Sequence, residues 1–106
     1  MSKEELIDTL AIDVEGKNNK HDITIFTLST CMWCKKCKRW LNEHDIKYHY
    51  IDVDKIENGQ KSQIIDYLKS NFDKRISYPF MVCDGEPIVG YSPNTYEEVI
   101  EKGGGE

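Results

Sequence analysis

The chain has 106 residues, enough for one domain with a buried core, and 31% of them are charged, as is ordinary for soluble globular proteins. The formal net charge of -5 argues against nucleic acid as a partner, because phosphate binding requires a basic surface. Residues 1–15 lack the apolar run of a secretory signal, and no segment approaches the roughly 20 apolar residues of a membrane span. We therefore expect a cytosolic protein with no membrane partner.

The first predicted element is a short amphipathic helix. The segment Ser2-Lys3-Glu4-Glu5 has the spacing of a capping box, with a hydroxyl at the cap and a carboxylate three residues later. Apolar side chains then recur at helical intervals as far as Val14, and Gly16 ends the pattern. The polar residues 16–22 that follow are interpreted as a linker.

The rest of the chain alternates strand-like and helix-like patterns. A strand, a helix and a strand in succession predict a parallel pair, and the two-residue turn Asp84-Gly85 predicts an antiparallel pair. The order therefore indicates a four-stranded mixed sheet with helices on both faces. The predicted strands are 23–28, 48–53, 79–83 and 88–89, and the predicted helices are 32–44, 60–72 and a last one from Ser92-Pro93 to Lys102.

Three cysteines at a spacing of three lie in the segment STCMWCKKC, residues 29–37. In a reducing compartment, cysteines at such spacing indicate catalysis or metal binding rather than structural disulfides. Cys31 lies at the predicted start of a helix, where unpaired N–H groups stabilise a thiolate, so it is the candidate nucleophile. Cys34, one turn further on, is expected to be more buried. The alternative is a metal or iron–sulfur site that uses Cys31, Cys34 and Cys37.

The other two cysteines are expected to pack in the core. Cys37 lies on one helical stripe with Cys34 and Leu41, which favours a small buried side chain over a second redox thiol or a metal ligand. Cys83 lies in a predicted strand and is expected to pack within the sheet. We assign no functional role to Asp52, Asp54 and Glu57, interpreted as a solvent-exposed strand end, or to the surface histidines His21, His44 and His49.

A strand that runs into Cys31-Met32-Trp33-Cys34 at the start of a helix, inside a βαβ unit, resembles the glutaredoxin branch of the thioredoxin-like fold. The resemblance extends from about residue 23 to residue 100, and Tyr78-Pro79 and Gly90 follow in the family's order. It implies an α/β fold of glutaredoxin type. The predicted helix at residues 2–14 has no counterpart in compact family members and is an extra element, either for packing or for docking. We accordingly divide the chain into a helical extension and linker at 1–22, a glutaredoxin-like domain at 23–102 and a flexible tail at 103–106.

Two features are more similar to NrdH-type redoxins than to glutathione-dependent glutaredoxins. Leu28 stands three residues before Cys31, where glutathione-binding members usually carry a basic residue. The segment Val89-Gly90-Tyr91-Ser92-Pro93 replaces a Gly-Gly-Asp-like segment. The resemblance implies a monomeric disulfide reductase without cofactor or metal, supplied by a thioredoxin-reductase-type or ferredoxin-linked reductase. Its substrates would be disulfide-containing proteins, including ribonucleotide reductase.

The resemblance also implies roles for individual residues. Cys31 would attack a protein disulfide, and Cys34 would resolve the mixed disulfide. Tyr78 would face the dithiol across a cis peptide bond to Pro79 and pair with the substrate through its backbone. The predicted substrate-binding residues are Met32, Trp33, Tyr78, Pro79, Gly90 and Tyr91.

Overall fold

The computed structural model describes residues 3–101, which form a mixed β-sheet with helices on both faces. No helix in this range is long and apolar enough to cross a lipid bilayer. The strands are β1 (Ile12–Val14), β2 (Ile23–Thr27), β3 (Tyr48–Asp52), β4 (Phe80–Cys83) and β5 (Glu86–Val89). The helices are α1 (Lys3–Leu10), α2 (Met32–Glu43), α3 (Asn58–Asn71) and α4 (Pro93–Tyr96), which continues directly into a π-helical turn at Glu97–Glu101.

The sheet has the order β1-β3-β2-β4-β5. Strands β2 and β3 are parallel and are joined through α2, as the βαβ pattern predicted. Strands β4 and β5 are antiparallel across the turn at Asp84-Gly85, also as predicted. The predicted α/β architecture is therefore confirmed, and each predicted strand from residue 23 onward lies within about two residues of its observed position.

The N-terminal region differs from the prediction in two respects. The helix ends at Leu10 rather than at Val14, and β1 adds a fifth strand to the predicted four. Ile12 and Val14 are β-branched and alternate with Asp13, a strand pattern that the apolar helical spacing concealed. They pair antiparallel with the outer edge of β3. The predicted cap at Ser2, the predicted helix end at Lys102 and the tail at 103–106 lie outside the described residues.

Each face of the sheet carries its own hydrophobic core. On one face, Cys37 and Leu41 of α2 pack with Tyr96 and Ile100 of the C-terminal helical segment. On the other face, Ile7 of α1 and the buried side chains of α3 cover Phe26, Ile51 and Phe80. Because the buried side chains of α2 pack with those of the sheet, the helix lies against this face, and its N-terminus lies beyond the end of β2.

The connection between β1 and β2 is packed against the turn that precedes β3. The backbone N–H of Asn18 donates to the carbonyl of Asp45 at 2.9 Å, and the N–H of Lys47 donates to the carbonyl of Asn18 at 2.9 Å. Gly16 lies so close to this turn that a Cβ there would approach the backbone nitrogen of Lys47 to 2.6 Å and also collide with the carbonyl carbon of Ile46. A glycine is therefore required at residue 16 by space rather than by a positive φ.

We predict that Gly16→Ala destabilises the protein by about 1–3 kcal/mol, because the new methyl group must displace main-chain atoms. The free energy of unfolding from urea titration measures this. Gly59→Ala is the matched control: a methyl group added there, in α3, would meet no neighbouring atom within 4 Å, and alanine is the better helix former. Equal stabilities for the two variants would contradict the packing described.

Candidate active site

Cys31 is the N-cap residue of α2. Its backbone is extended, with φ -82° and ψ 122°, and its Sγ accepts the N–H of Cys34 at 3.2 Å. A helix N-terminus leaves its first N–H groups without backbone partners, and here a sulfur takes one of them in the way that a capping oxygen usually does. Cys31 is partly exposed, so the same sulfur can be reached from solvent. This is the position predicted for the nucleophile.

Cys34 lies one turn further into α2 and is buried, with 1% of its surface exposed. Its Sγ lies 3.5 Å from the backbone N–H of Leu28, which donates to it from the end of β2. Burial raises the pKa of the Cys34 thiol to about 12, and the hydrogen bond with Cys31 adds to the shift. In the reduced protein Cys34 is therefore a protonated thiol at neutral pH, as expected for the second member of the pair.

The loop that carries Cys31 is anchored by Asp54, which lies two residues past β3. Its two carboxylate oxygens accept the backbone N–H of Ser29 at 2.9 Å and the Ser29 hydroxyl at 2.5 Å. These bonds hold the pKa of Asp54 below its usual value. Asp54 is exposed as predicted, but sequence reasoning missed its positioning role. The contact could have been predicted from the βαβ pattern, because Ser29 and Asp54 follow two parallel strands whose carboxyl ends meet at one edge of the sheet.

Asp52 is a second acidic residue with an unpredicted role. Its carboxylate accepts the hydroxyl of the buried Thr27 at 2.5 Å and pairs with Lys38 Nζ at 3.1 Å. The Asp52 side chain is 18% exposed, so its interpretation as part of a solvent-exposed strand end is wrong. The physical reason is that Thr27 and Lys38, from the neighbouring strand and from α2, converge on it. This contact joins β2, α2 and β3 directly below the active-site loop.

The Tyr78–Pro79 peptide bond is cis, as the resemblance predicted. The carbonyl of Pro79 accepts the N–H of Gly90 at 2.8 Å, which joins the segment before β4 to the segment after β5. Gly90 has a φ of +87°, a conformation that glycine adopts without the steric cost of a side chain. Burial, and next the nearby Cys34 sulfur, raise the pKa of the Tyr78 hydroxyl. The role that the resemblance implies for Tyr78 beside the dithiol stays a prediction.

Met32 and Trp33, between the two cysteines, are exposed to 67% and 54%. The indole of Trp33 stacks on the ring of Tyr91 at 6.0 Å between centroids, and Lys36 Nζ lies 4.7 Å from the indole centroid. Two of the predicted substrate-binding residues, distant in sequence, are thus in contact. We refer to Met32, Trp33 and Tyr91 as the aromatic face. It forms an apolar surface beside the accessible sulfur.

Cys37 and Cys83 are buried, with 0% and 1% of their surfaces exposed, which confirms their predicted packing roles. The hydroxyl of Tyr96 lies 3.5 Å from the Cys37 sulfur, and burial raises the pKa of the Cys37 thiol to about 11. Within residues 3–101, the sulfurs of Cys31, Cys34 and Cys37 do not form a group of mutually close metal ligands. The geometry therefore does not support the alternative of a metal site built from those three residues.

The family model described as Glutaredoxin matches residues 23–88. The chain belongs to the glutaredoxin family. Among solved structures, the glutaredoxin from Methanosarcina mazei Go1 superposes with a TM-score of 0.74 at 26% identity, covering 85% of this chain and 86% of that one. The predicted thioredoxin-like fold of glutaredoxin type is confirmed.

Two sequence relatives show how much of the chain each similarity covers. The gene 56 protein of Mycobacterium phage D29 is 31% identical over 80 residues, which cover 74% of this chain and 82% of that protein. The glutaredoxin-like protein NrdH of Lactococcus lactis is 41% identical over 32 residues, 30% of this chain and 44% of that protein. The similarity to NrdH is thus local, and the resemblance to the broader family covers most of the chain.

We predict that alkylation of the reduced glutaredoxin at pH 8 modifies Cys31 first. Cys31 is accessible, whereas a pKa of about 12 leaves about one Cys34 in ten thousand as the reactive thiolate at that pH. Iodoacetamide labelling followed by peptide mass mapping gives the order. Raising the pH toward 12 should increase the rate at Cys34, since its thiolate fraction rises with pH. Labelling of Cys34 or Cys37 as fast as Cys31 at pH 8 would contradict the geometry.

Proposed function

We propose that this glutaredoxin is a dithiol reductase of protein disulfides, in which Cys31 attacks and Cys34 resolves. The observation that carries the proposal is the difference between the two sulfurs. The Cys31 sulfur is accessible and accepts a helix N-terminal N–H, and the Cys34 sulfur is buried one turn below as a thiol. One sulfur is thus arranged to bind a substrate and the other to release it.

In the first step, the Cys31 thiolate attacks one sulfur of the substrate disulfide. A bond forms between Cys31 Sγ and that sulfur, the substrate disulfide breaks, and the second substrate sulfur leaves as a thiolate. The helix N-terminus favours this step because its N–H groups stabilise the attacking anion. Asp54, through Ser29, holds the loop so that the sulfur remains at the cap.

In the second step, Cys34 loses its proton and attacks Cys31 Sγ. A Cys31–Cys34 disulfide forms, the bond between Cys31 Sγ and the first substrate sulfur breaks, and that sulfur leaves as a thiolate. Both substrate sulfurs are then reduced, so two electrons have passed to the substrate. The Cys31 sulfur contributes to the raised pKa of Cys34 through a hydrogen bond and through its charge. The contribution of charge ends when Cys31 enters the mixed disulfide, because its sulfur is then neutral, and the hydrogen bond to it becomes weaker. Substrate capture therefore promotes ionisation of the resolving thiol, although burial still opposes it.

The aromatic face is proposed to contact the substrate protein. Exposed aromatic side chains around a reactive group are common anchors of protein interfaces. The stacking of Trp33 on Tyr91 and the proximity of Lys36 hold the indole in place, so little side-chain freedom is lost on binding. Tyr78 and Pro79, joined to Gly90 by a backbone hydrogen bond, are proposed to form the opposite side of the substrate groove.

We further propose that electrons come from a thioredoxin-reductase-type flavoprotein or a ferredoxin-linked reductase rather than from glutathione. Leu28 is partly buried against the core that α1 and α3 cover, so an apolar side chain occupies the position where glutathione-binding members usually have a cation. The local similarity to NrdH agrees with this proposal. The resemblance to NrdH-type redoxins makes ribonucleotide reductase a candidate substrate. The cytosolic location and the domain boundaries at residues 22 and 102 stay predictions.

We predict that the Cys31→Ser variant no longer catalyses the reduction of insulin disulfides with dithiothreitol as the electron donor. The other three cysteines are buried, so none of them can replace Cys31. Cys34→Ser should accumulate a covalent complex with a disulfide substrate, because the resolving sulfur is missing. Turbidity measures insulin reduction, and non-reducing electrophoresis detects the complex.

The matched control is Cys37→Ala, which removes a buried thiol from the same helix and should retain most of the activity. Full activity of Cys31→Ser would refute the proposed mechanism. Loss of activity in Cys37→Ala, with the fold intact by circular dichroism, would also count against a two-cysteine reaction.

We predict that NADPH oxidation coupled through thioredoxin reductase exceeds oxidation coupled through glutathione and glutathione reductase by about tenfold or more, a difference of about 1.4 kcal/mol in activation free energy. Both assays use the same preparation and the same protein disulfide. An established glutathione-dependent glutaredoxin serves as the control for the second assay. A faster reaction with glutathione would overturn the donor assignment while leaving the dithiol reaction intact.

A further inference from the structure

A second group of chemically reactive side chains lies at the end of the sheet opposite to the dithiol. Cys83, the last residue of β4, pairs in register with Ile23, the first residue of β2. His21 and Asp22, just before β2, therefore lie beside Cys83 and Asp84. The dithiol follows the other end of β2, and the five residues of this strand separate the two places by on the order of 15 Å.

Three donor atoms converge at this end. One donor atom each of His21, Cys83 and Asp84 lie within 4.8 Å of one another, and this is the one group of three such ligands within residues 3–101. In a tetrahedral zinc site, donors that lie 2.0–2.3 Å from the ion are about 3.3–3.8 Å apart. To hold an ion, His21 Nδ1 and Asp84 Oδ2, which are 2.6 Å apart, must therefore separate by about 1 Å, and the widest pair of donors must close by about 1 Å.

We propose that His21, Cys83 and Asp84 form a zinc-binding site, separate from the redox dithiol. The donor set contains one thiol sulfur, one imidazole nitrogen and one carboxylate oxygen. Zinc accepts this combination, whereas magnesium and calcium prefer oxygen donors throughout. Three protein ligands leave a fourth position, which a water molecule or the neighbouring Asp22 carboxylate would occupy.

The Asp84 carboxylate is already held in position. One of its oxygens accepts the backbone N–H of Asp22 at 2.8 Å, and the other lies 2.6 Å from His21 Nδ1. The backbone N–H of Asp84 also donates to the carbonyl of Asp22 at 2.9 Å. These bonds join the segment before β2 to the turn after β4. The bonds to Asp22 can persist when an ion binds and support the carboxylate as metal sites require, whereas the ion replaces the proton shared between His21 and Asp84.

Exposure changes across the group in the way expected for an ion that enters from solvent. Cys83 is 1% exposed, the His21 side chain 12% and the Asp84 side chain 50%. A cavity of about 400 Å³ is lined by His21 and Asp84, together with Asn19, Lys20, Asp22, Lys47 and His49. An ion would thus meet the carboxylate first and the buried sulfur last, and the thiolate would be shielded from water once bound.

The test must separate this site from the dithiol, because thiolates are zinc and cobalt ligands in general. We therefore use the full chain carrying Cys31→Ser and Cys34→Ser as the reference protein, with Cys37 and Cys83 as its remaining thiols. Cobalt(II) serves as the spectroscopic probe and zinc as the competing ion. We expect one cobalt per chain with a near-ultraviolet sulfur-to-cobalt charge-transfer band, displaced by one equivalent of zinc.

Two further substitutions in the reference protein identify the sulfur. Cys37→Ala should keep the cobalt band and Cys83→Ala should abolish it. Absence of the band in the reference protein, or its loss in Cys37→Ala and survival in Cys83→Ala, would overturn the proposal. A thermal unfolding curve of the metal-free Cys83→Ala protein shows whether it is folded.

Asp84→Asn keeps the proposal testable if the buried substitution prevents folding. Asparagine retains an oxygen for the Asp22 N–H and tolerates the φ of +52° at this position. We expect it to weaken zinc binding by about tenfold or more while the metal-free melting temperature changes little. Unchanged zinc affinity in this variant would remove Asp84 from the ligand set and overturn the proposed site.

Discussion

The parallel pairing of β2 with β3 is the constraint on which the active site depends. A parallel pair requires a crossover, here α2, and it brings the carboxyl ends of both strands to one edge of the sheet. At that edge Asp54 reaches Ser29, and Asp52 reaches Thr27 and Lys38. The position of Cys31 thus follows from three contacts that depend on register rather than on the CxxC motif itself.

The buried side chain of Tyr96 links α2 to the turn at Gly90. The hydroxyl of Tyr96 donates to the carbonyl of Gly90 at 2.8 Å and lies 3.5 Å from the Cys37 sulfur. Its ring contacts those of Tyr91 and Trp40. Tyr96 therefore connects the interior of α2 to the glycine turn that holds Pro79. The side chain of Cys37 takes part in this packing.

Much of this arrangement could be predicted from sequence because the signals are local. The CxxC at a helix start, the turn at Asp84-Gly85 and the Ser92-Pro93 start of the last helix each act over a few residues. The cis bond before Pro79 was predicted by resemblance, not by spacing. The burial of Cys37 and Cys83 followed from helical and strand periodicity.

The features that the sequence did not predict depend on contacts between distant parts of the chain. Ile12–Val14 has both helical and strand-like features, and the free edge of β3 decided between them. Asp52 and Asp54 looked like ordinary surface charges because their partners, Thr27 and Ser29, are 25 residues distant in sequence. His21, which was assigned no role, pairs with Asp84 across 63 residues. Such contacts depend on tertiary structure, and the pattern of nearby residues does not reveal them.

The addition of β1 also changes what the sheet presents at its borders. Without it, the five-residue β3 would be an open edge with unpaired N–H and C=O groups, which other chains could use to extend the sheet. The actual borders are poor templates for such pairing. β1 is three residues long and carries the exposed Asp13, and β5 contains Pro87, which has no N–H to donate. The short strand before the linker thus covers the edge of β3 that would otherwise be open to intermolecular strand addition.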